Sequence, residues 1–219
     1  KDFLNKGINV FCLGRRDFNQ INSPDYASLK RFFFLDFKSF SFESELEDIF
    51  LELKEEKINT IIHAAADTGR RNFIKNLSYK EVSNLATINY LNSAWFLKKS
   101  CDLLSLNKSS LNKSFIYIST QLAKYKGPGL SIYSSSKAGI NNLCKTLAHE
   151  YGPNGVRVNV VTPGKISDNS IDKNNYDESL NIPLSRLATP SDIVSAVSFL
   201  ISKESSYITG NDLNVNGGR

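Results

Sequence analysis

A chain of 219 residues, 41% hydrophobic and 22% charged, has the size and composition of one globular unit large enough to bury a full α/β core. No apolar run approaches the ~20 residues that cross a bilayer, and no secretory leader opens the chain. The formal charge of +5 comes from lysines and arginines spread along the sequence, which argues against a membrane or nucleic-acid partner.

Residues 1–6 read as the last turns of a helix closed by Gly7 in a left-handed cap. Residues 8–13 read as a buried strand, with Gly14-Arg15-Arg16 leaving its carboxyl end. Residues 31–37 (RFFFLDF) predict a second apolar strand, with Asp36 near its end. Residues 42–57 mix apolar and acidic side chains at helical spacing, which predicts a surface helix packed through Leu46, Ile49, Phe50 and Leu53. The next strand is expected over 58–66 (INTIIHAAA), and His63 inside it reads as a packed core histidine. Ser78-Tyr-Lys-Glu81 has the spacing of a capping box, so a helix starts near Tyr79 and leads into a long helical run over 86–104. The polar stretch 105–113 is expected to be a surface loop.

Residues 114–119 follow as a buried parallel strand ending in a hydroxyl at Thr120, the end of an open α/β sheet at which ligands bind. Thirteen residues later stands Tyr133, and one helical turn beyond it Lys137. At this spacing both side chains leave the same face of a helix that runs from about Ile132 to about Tyr151. A free phenol near pKa ~10 moves protons poorly at neutral pH, and a neighbouring ammonium is expected to acidify it. Residues 156–161 predict another strand, Pro163-Gly164 a turn, and the polar stretch 165–181 a substrate lid. Thr189 caps a helix that has Pro190 at its first position, and residues 212–215 give the last strand. No repeat interrupts this alternation. The three cysteines, Cys12, Cys101 and Cys144, are scattered without a Cys-x-x-Cys, the usage of reduced thiols in a cytoplasmic protein, and no metal site is expected.

Tyr133-Ser-Ser-Ser-Lys137, with a hydroxyl thirteen residues before the tyrosine, resembles the active-site signature of the short-chain dehydrogenase/reductases. The resemblance continues in the family's order through Asn159-Val-Val-Thr-Pro-Gly164, Pro183-Leu-Ser-Arg-Leu-Ala-Thr-Pro190 and Ile208-Thr-Gly-Asn-Asp-Leu-Asn-Val-Asn-Gly-Gly218, and so covers nearly the whole chain. It implies an α/β fold of Rossmann type, a doubly wound parallel sheet, over residues 1–219 as a single domain. In that family a strand and a glycine-rich turn precede the strand at 8–13, and the first strand lies centrally, between the second and the fourth. Here no glycine-rich loop is written and there is no methionine, even at position 1, so the sequence is expected to begin inside the first helix, about 25–30 residues into the domain.

The resemblance further implies hydride transfer between a nicotinamide and a carbonyl or alcohol carbon. Tyr133 would be the general acid/base, Thr120 would hydrogen-bond the substrate oxygen, Lys137 would hold the ribose and acidify the phenol, and Asn89 would position a water. Arg15 and Arg16 stand where an NAD-binding relative has a carboxylate, which implies NADP(H), with NAD(H) as the alternative. Asp36 would meet the adenine. Ala64 and Ala65 would admit the cofactor's approach, although His63-Ala64-Ala65-Ala66 departs from the family's Asn-Asn-Ala-Gly and loses a structural hydrogen bond at Ala64. Pro163, Gly164 and the backbone of Ile166 would hold the carboxamide end, where Asp168 replaces a common threonine. The layout is similar to that of 3-oxoacyl carrier-protein reductases, and the lid's polarity leans toward a polar or carrier-bound substrate. Relatives form dimers or tetramers through the helices carrying Asn89 and Tyr133, so a homo-oligomer is expected. Two other readings stay open: a sugar-nucleotide epimerase or dehydratase using the same Tyr133 and Lys137, and a non-catalytic binding protein that keeps the fold.

Overall fold

The computed structural model describes residues 9–14, 29–108, 112–125, 127–167 and 181–219. Apolar runs rich in Phe, Ile and Val pair in parallel, and among the described residues the strands that begin at Arg31, Thr60, Lys113 and Val156 are each followed by a helix that returns the chain across a face of the sheet. β1 (Phe11–Gly14) pairs with β2 (Arg31–Phe34), Phe11 opposite Arg31. β3 (Thr60–His63), β4 (Lys113–Ile118), β5 (Val156–Pro163) and β6 (Asp212–Val215) form a second parallel group in that order. The helices between them are α1 (Phe42–Leu53), α2 (Tyr79–Ala86), α3 (Asn92–Leu106), α4 (Ser131–Tyr151) and α5 (Pro190–Ile201).

The alternation of β4 and β5 decides which helix covers which face. Phe115, Tyr117, Val158 and Val160 point into a core shared with α1, α3 and α4, where Leu46, Leu97, Leu104 and Ile140 are fully buried. Ile116 and Val161 point the other way, onto Ile193, Val197 and Leu200 of α5. Helices therefore cover both faces, as in a doubly wound Rossmann sheet. The division between the two strand groups falls between β1 and β3, where the resemblance puts the family's first strand. Side chains cross it: the Phe37 ring stacks on His63 at 5.1 Å, the Asn92 amide donates to the Phe37 carbonyl at 2.8 Å, and the Lys38 ammonium pairs with Asp67 at 2.6 Å.

Several expected boundaries move. The strands expected over 31–37 and 58–66 are paired only over four residues each, because the chain turns away from the sheet beyond Phe34 and His63. The strand expected over 8–13 is described as Phe11–Gly14, and the helix and cap expected over residues 1–7 lie outside the described residues. α1 stops at Leu53, and a short turn ends at Lys57 in the left-handed region at φ 50°. The long run expected over 86–104 is interrupted by one π turn, Thr87–Leu91, and continues to Leu106. Lys113, expected in the surface loop, is instead buried at the start of β4, where its ammonium reaches the Asn154 carbonyl at 2.5 Å. The two caps follow the sequence closely. Ser78 and Glu81 form a reciprocal capping box on α2, and Thr189 with Asp192 forms another on α5, reinforced by a bidentate Arg186–Asp192 pair.

Candidate active site

The carboxyl end of β4 delivers Thr120 and the start of α4 delivers Tyr133 to the same place. Thr120 Oγ1 accepts the Leu122 N–H at 3.3 Å, which fixes its rotamer at the head of a short turn, and the hydroxyl is near enough to the Tyr133 phenol to favour its phenolate. α4 is held in position from behind. Arg71 Nε donates to the Pro128 carbonyl at 3.2 Å and the Asn72 N–H to the Gly129 carbonyl at 3.0 Å, so the loop after β3 grips the loop that enters the helix. Gly129 has φ 81°, and a Cβ there would stand 2.7 Å from Arg71 Cγ, so this close grip needs glycine.

One turn into α4, Lys137 is 2% exposed. Its ammonium donates to the Ile118 carbonyl at 2.8 Å and lies 4.4 Å from the Tyr117 ring centre and 5.9 Å from that of Tyr133. Burial lowers its pKa to about 8, since a charge is costly away from water. The sequence led us to expect an acidified phenol at Tyr133. In the structure burial pushes the Tyr133 pKa up, and the nearby Thr120 hydroxyl opposes it.

Asn89 lies in the π turn and is 1% exposed. Its Oδ1 accepts the Asp67 N–H at 2.9 Å, while Nδ2 donates to the Asp67 carbonyl at 2.7 Å and the Leu85 carbonyl at 3.0 Å. The side chain is therefore spent on clamping the loop that leaves β3. Asp67 is itself held at its carboxylate by Lys38 at 2.6 Å and by the Gly69 N–H at 2.8 Å. Next to this clamp His63 is buried with Nε2 3.1 Å from Ser93 Oγ, and burial lowers its pKa to about 3, so it packs as a neutral ring.

Ala64, Ala65 and Ala66 are exposed at the end of β3, with no side chain to bar an approach to their backbone. Pro163 is buried at the end of β5. A Cβ on the following Gly164 would stand 2.9 Å from Asn216 Cα, and its N–H donates to the Val215 carbonyl at 3.0 Å. Ile166 bridges Ala188 through the Lys165 carbonyl and the Ser167 N–H, an arrangement that leaves the Ile166 amide itself out of the bridge. Asp36 Oδ1 accepts the Lys38 N–H at 3.0 Å and so closes its own turn. Arg15, Arg16, Asp168 and the middle of the expected lid lie outside the described residues.

A family model described as enoyl-(acyl carrier protein) reductase matches residues 40–219. The chain belongs to the short-chain dehydrogenase/reductase family. As a member of that family it is an NAD(P)-dependent oxidoreductase, similar to the 3-oxoacyl-(acyl-carrier-protein) reductases. It is 33% identical to the protein FabG of that name from Buchnera aphidicola subsp. Acyrthosiphon pisum, over all of this chain and 89% of the relative. To the FabG of Buchnera aphidicola subsp. Schizaphis graminum it is 34% identical, over 75% of this chain and 68% of the relative. Among solved structures, the short-chain dehydrogenase of Leptospira borgpetersenii with bound NAD+ superposes with a TM-score of 0.83 at 26% identity, covering 99% of this chain and 85% of its own.

A nicotinamide dinucleotide fits what this member of the family presents. The open Ala64–Ala66 backbone, the two N–H bonds of Lys137 beyond the one given to Ile118, and the Ile166 amide form a set of small residues and donors along the carboxyl ends of β3, β4 and β5. Two contributors went unnoticed in the sequence. Tyr117 looked like any apolar strand residue, and the Ile118 carbonyl, being backbone, leaves no trace in a side-chain pattern.

Proposed function

We propose that the chain is an NADP(H)-dependent reductase or dehydrogenase of a carbonyl or alcohol, with Tyr133 as general acid/base. The observation that carries this reading is the convergence of Thr120, Tyr133 and Lys137 at the carboxyl end of β4, with the threonine hydroxyl beside the phenol. The cofactor, when bound, supplies or accepts the hydride. Thr120 orients the substrate oxygen, and the Tyr133 phenol gives its proton to that oxygen in reduction or takes it back in oxidation. Lys137 holds the ribose hydroxyls with the two N–H bonds that Ile118 does not use. Its charge favours the phenolate and counters the upward push that burial exerts on Tyr133. Asn89 acts through the backbone of its π turn, since its side chain is committed to Asp67, and that backbone positions the water that relays protons to Lys137. Ala64 and Ala65 line the approach of the dinucleotide, Asp36 meets the adenine, and Pro163, Gly164 and Ile166 hold the carboxamide end.

Arg15 and Arg16 select the 2′-phosphate of NADP(H), a reading that rests on their place in the sequence. The names of the FabG relatives support a substrate carried on acyl carrier protein. Residues 1–219 act as one domain of a cytoplasmic homo-oligomer, dimer or tetramer. No helix among the described residues is long and apolar enough to cross a membrane. Tyr90 and Leu91, exposed beside Asn89, are apolar surface suited to a helix-mediated contact between copies. The deciding experiment is Tyr133→Phe assayed with NADPH and a 3-oxoacyl thioester: turnover falls at least ~100-fold. Near-normal turnover in that variant ends the proposal.

A further inference from the structure

Lys137 is a cation enclosed by protein, and what encloses it is specific. Among the described residues the titratable groups coupled to it are Cys144 on its own helix and His63 on β3, and neither is charged at pH 7, because burial pushes the thiol up and the imidazole down to about 3. Tyr133, on the same helix, is 5.9 Å away at its ring centre and carries a neutral phenol. From β4 the ammonium meets the Ile118 carbonyl at 2.8 Å and the Tyr117 ring at 4.4 Å from its centre. Tyr117 is fully buried, and its phenolic oxygen has no hydrogen-bond partner among the described residues. The ring does two things: it packs on His63 at 5.4 Å and turns its electron-rich face toward the lysine.

We propose that Tyr117 is a positioning residue for the reaction, its ring face and the Ile118 carbonyl together cradling the Lys137 ammonium so that the charge stays under Tyr133. The inference rests on the proposed catalytic role of Tyr133 and Lys137 and adds to it the group that keeps the buried lysine charged. A ring face attracts the ammonium and not the neutral amine, so it raises the lysine pKa against the downward push of burial. Without the ring the charge would be lost nearer neutrality, and the hold on ribose and phenol would weaken with it.

The test follows the lysine directly. In the full-length protein labelled with 13Cε-lysine, the Lys137 resonance is assigned by its absence in Lys137→Met and titrated by NMR. Tyr117→Phe keeps the ring and should keep the midpoint. Tyr117→Leu should lower the midpoint by about one pH unit, the shift to which ~1.4 kcal/mol of lost charge–ring attraction converts. The lysine limb of the kcat profile should move with it. Pentafluorophenylalanine at position 117 holds the volume and removes the negative ring face, so it should lower the midpoint as leucine does even if the leucine variant fails to fold. A midpoint that stays put on fluorination, or that moves as far with Tyr117→Phe, overturns the inference. These outcomes are independent of the Tyr133→Phe result: full activity there removes the catalytic reading and leaves the titration as it was.

Discussion

Asn89→Ala is the substitution with the most to report, because one buried amide holds three partners. The change removes the hydrogen bonds to the Asp67 N–H and carbonyl and to the Leu85 carbonyl, at 2.9, 2.7 and 3.0 Å. At a net ~1 kcal/mol for each bond the loss is about 3 kcal/mol. For a domain of this size each kcal/mol moves Tm by roughly 2–4 °C, so the midpoint should fall by roughly 6–12 °C. Asn89→Asp should not recover it. The carboxylate still accepts from the Asp67 N–H, but it presents an oxygen where both carbonyls need a donor. Thermal unfolding by circular dichroism reads the stability, and hydrogen exchange at the Asp67 amide reads the clamp itself, whose protection should be lost in Asn89→Ala. A fall of less than ~2 °C with the Asp67 amide still protected would refute the account of Asn89 as the clamp of the loop after β3.

Three further outcomes are expected. His63 is neutral when folded, with a pKa of about 3, and must gain a proton on unfolding below its ordinary 6.5, so its contribution is full above pH 6.5 and is lost as pH falls toward 3. Urea midpoints of the wild type should therefore drop through that window with a slope approaching the ~1.4 kcal/mol per pH unit of one proton, and His63→Asn, which has no proton to gain, should flatten it. Arg157 is buried in β5 and donates to the carbonyls of Leu200 and Ile208 and to Asn112 Oδ1, so Arg157→Met should cost about 2 kcal/mol in chemical denaturation, and Arg157→Lys should not restore a three-acceptor fork. Arg15→Ala combined with Arg16→Ala should raise the Kd for NADPH far more than that for NADH in fluorescence titrations; equal losses would mean that neither arginine meets the phosphate.

Much of this protein was legible in its residues alone. The spacing of Tyr133 and Lys137, the hydroxyl at Thr120, the capping box at Ser78, the Thr189 cap and the packed side of α1 follow from local rules of spacing and capping that the rest of the chain did not override. Only the tertiary structure could decide what surrounds those groups. That Lys137 spends a donor on the Ile118 carbonyl and rests on Tyr117, that burial lifts the Tyr133 pKa, and that the amide of Asn89 is consumed by Asp67 depend on β3, β4 and α4 meeting in space. The same is true of Lys113, polar in the sequence and buried in the fold, where the Asn154 carbonyl takes the place of water. Periodicity records which face of an element is apolar. Charge, desolvation and hydrogen-bond partners are set by neighbours far away in the chain, and these exist only once the sheet has formed.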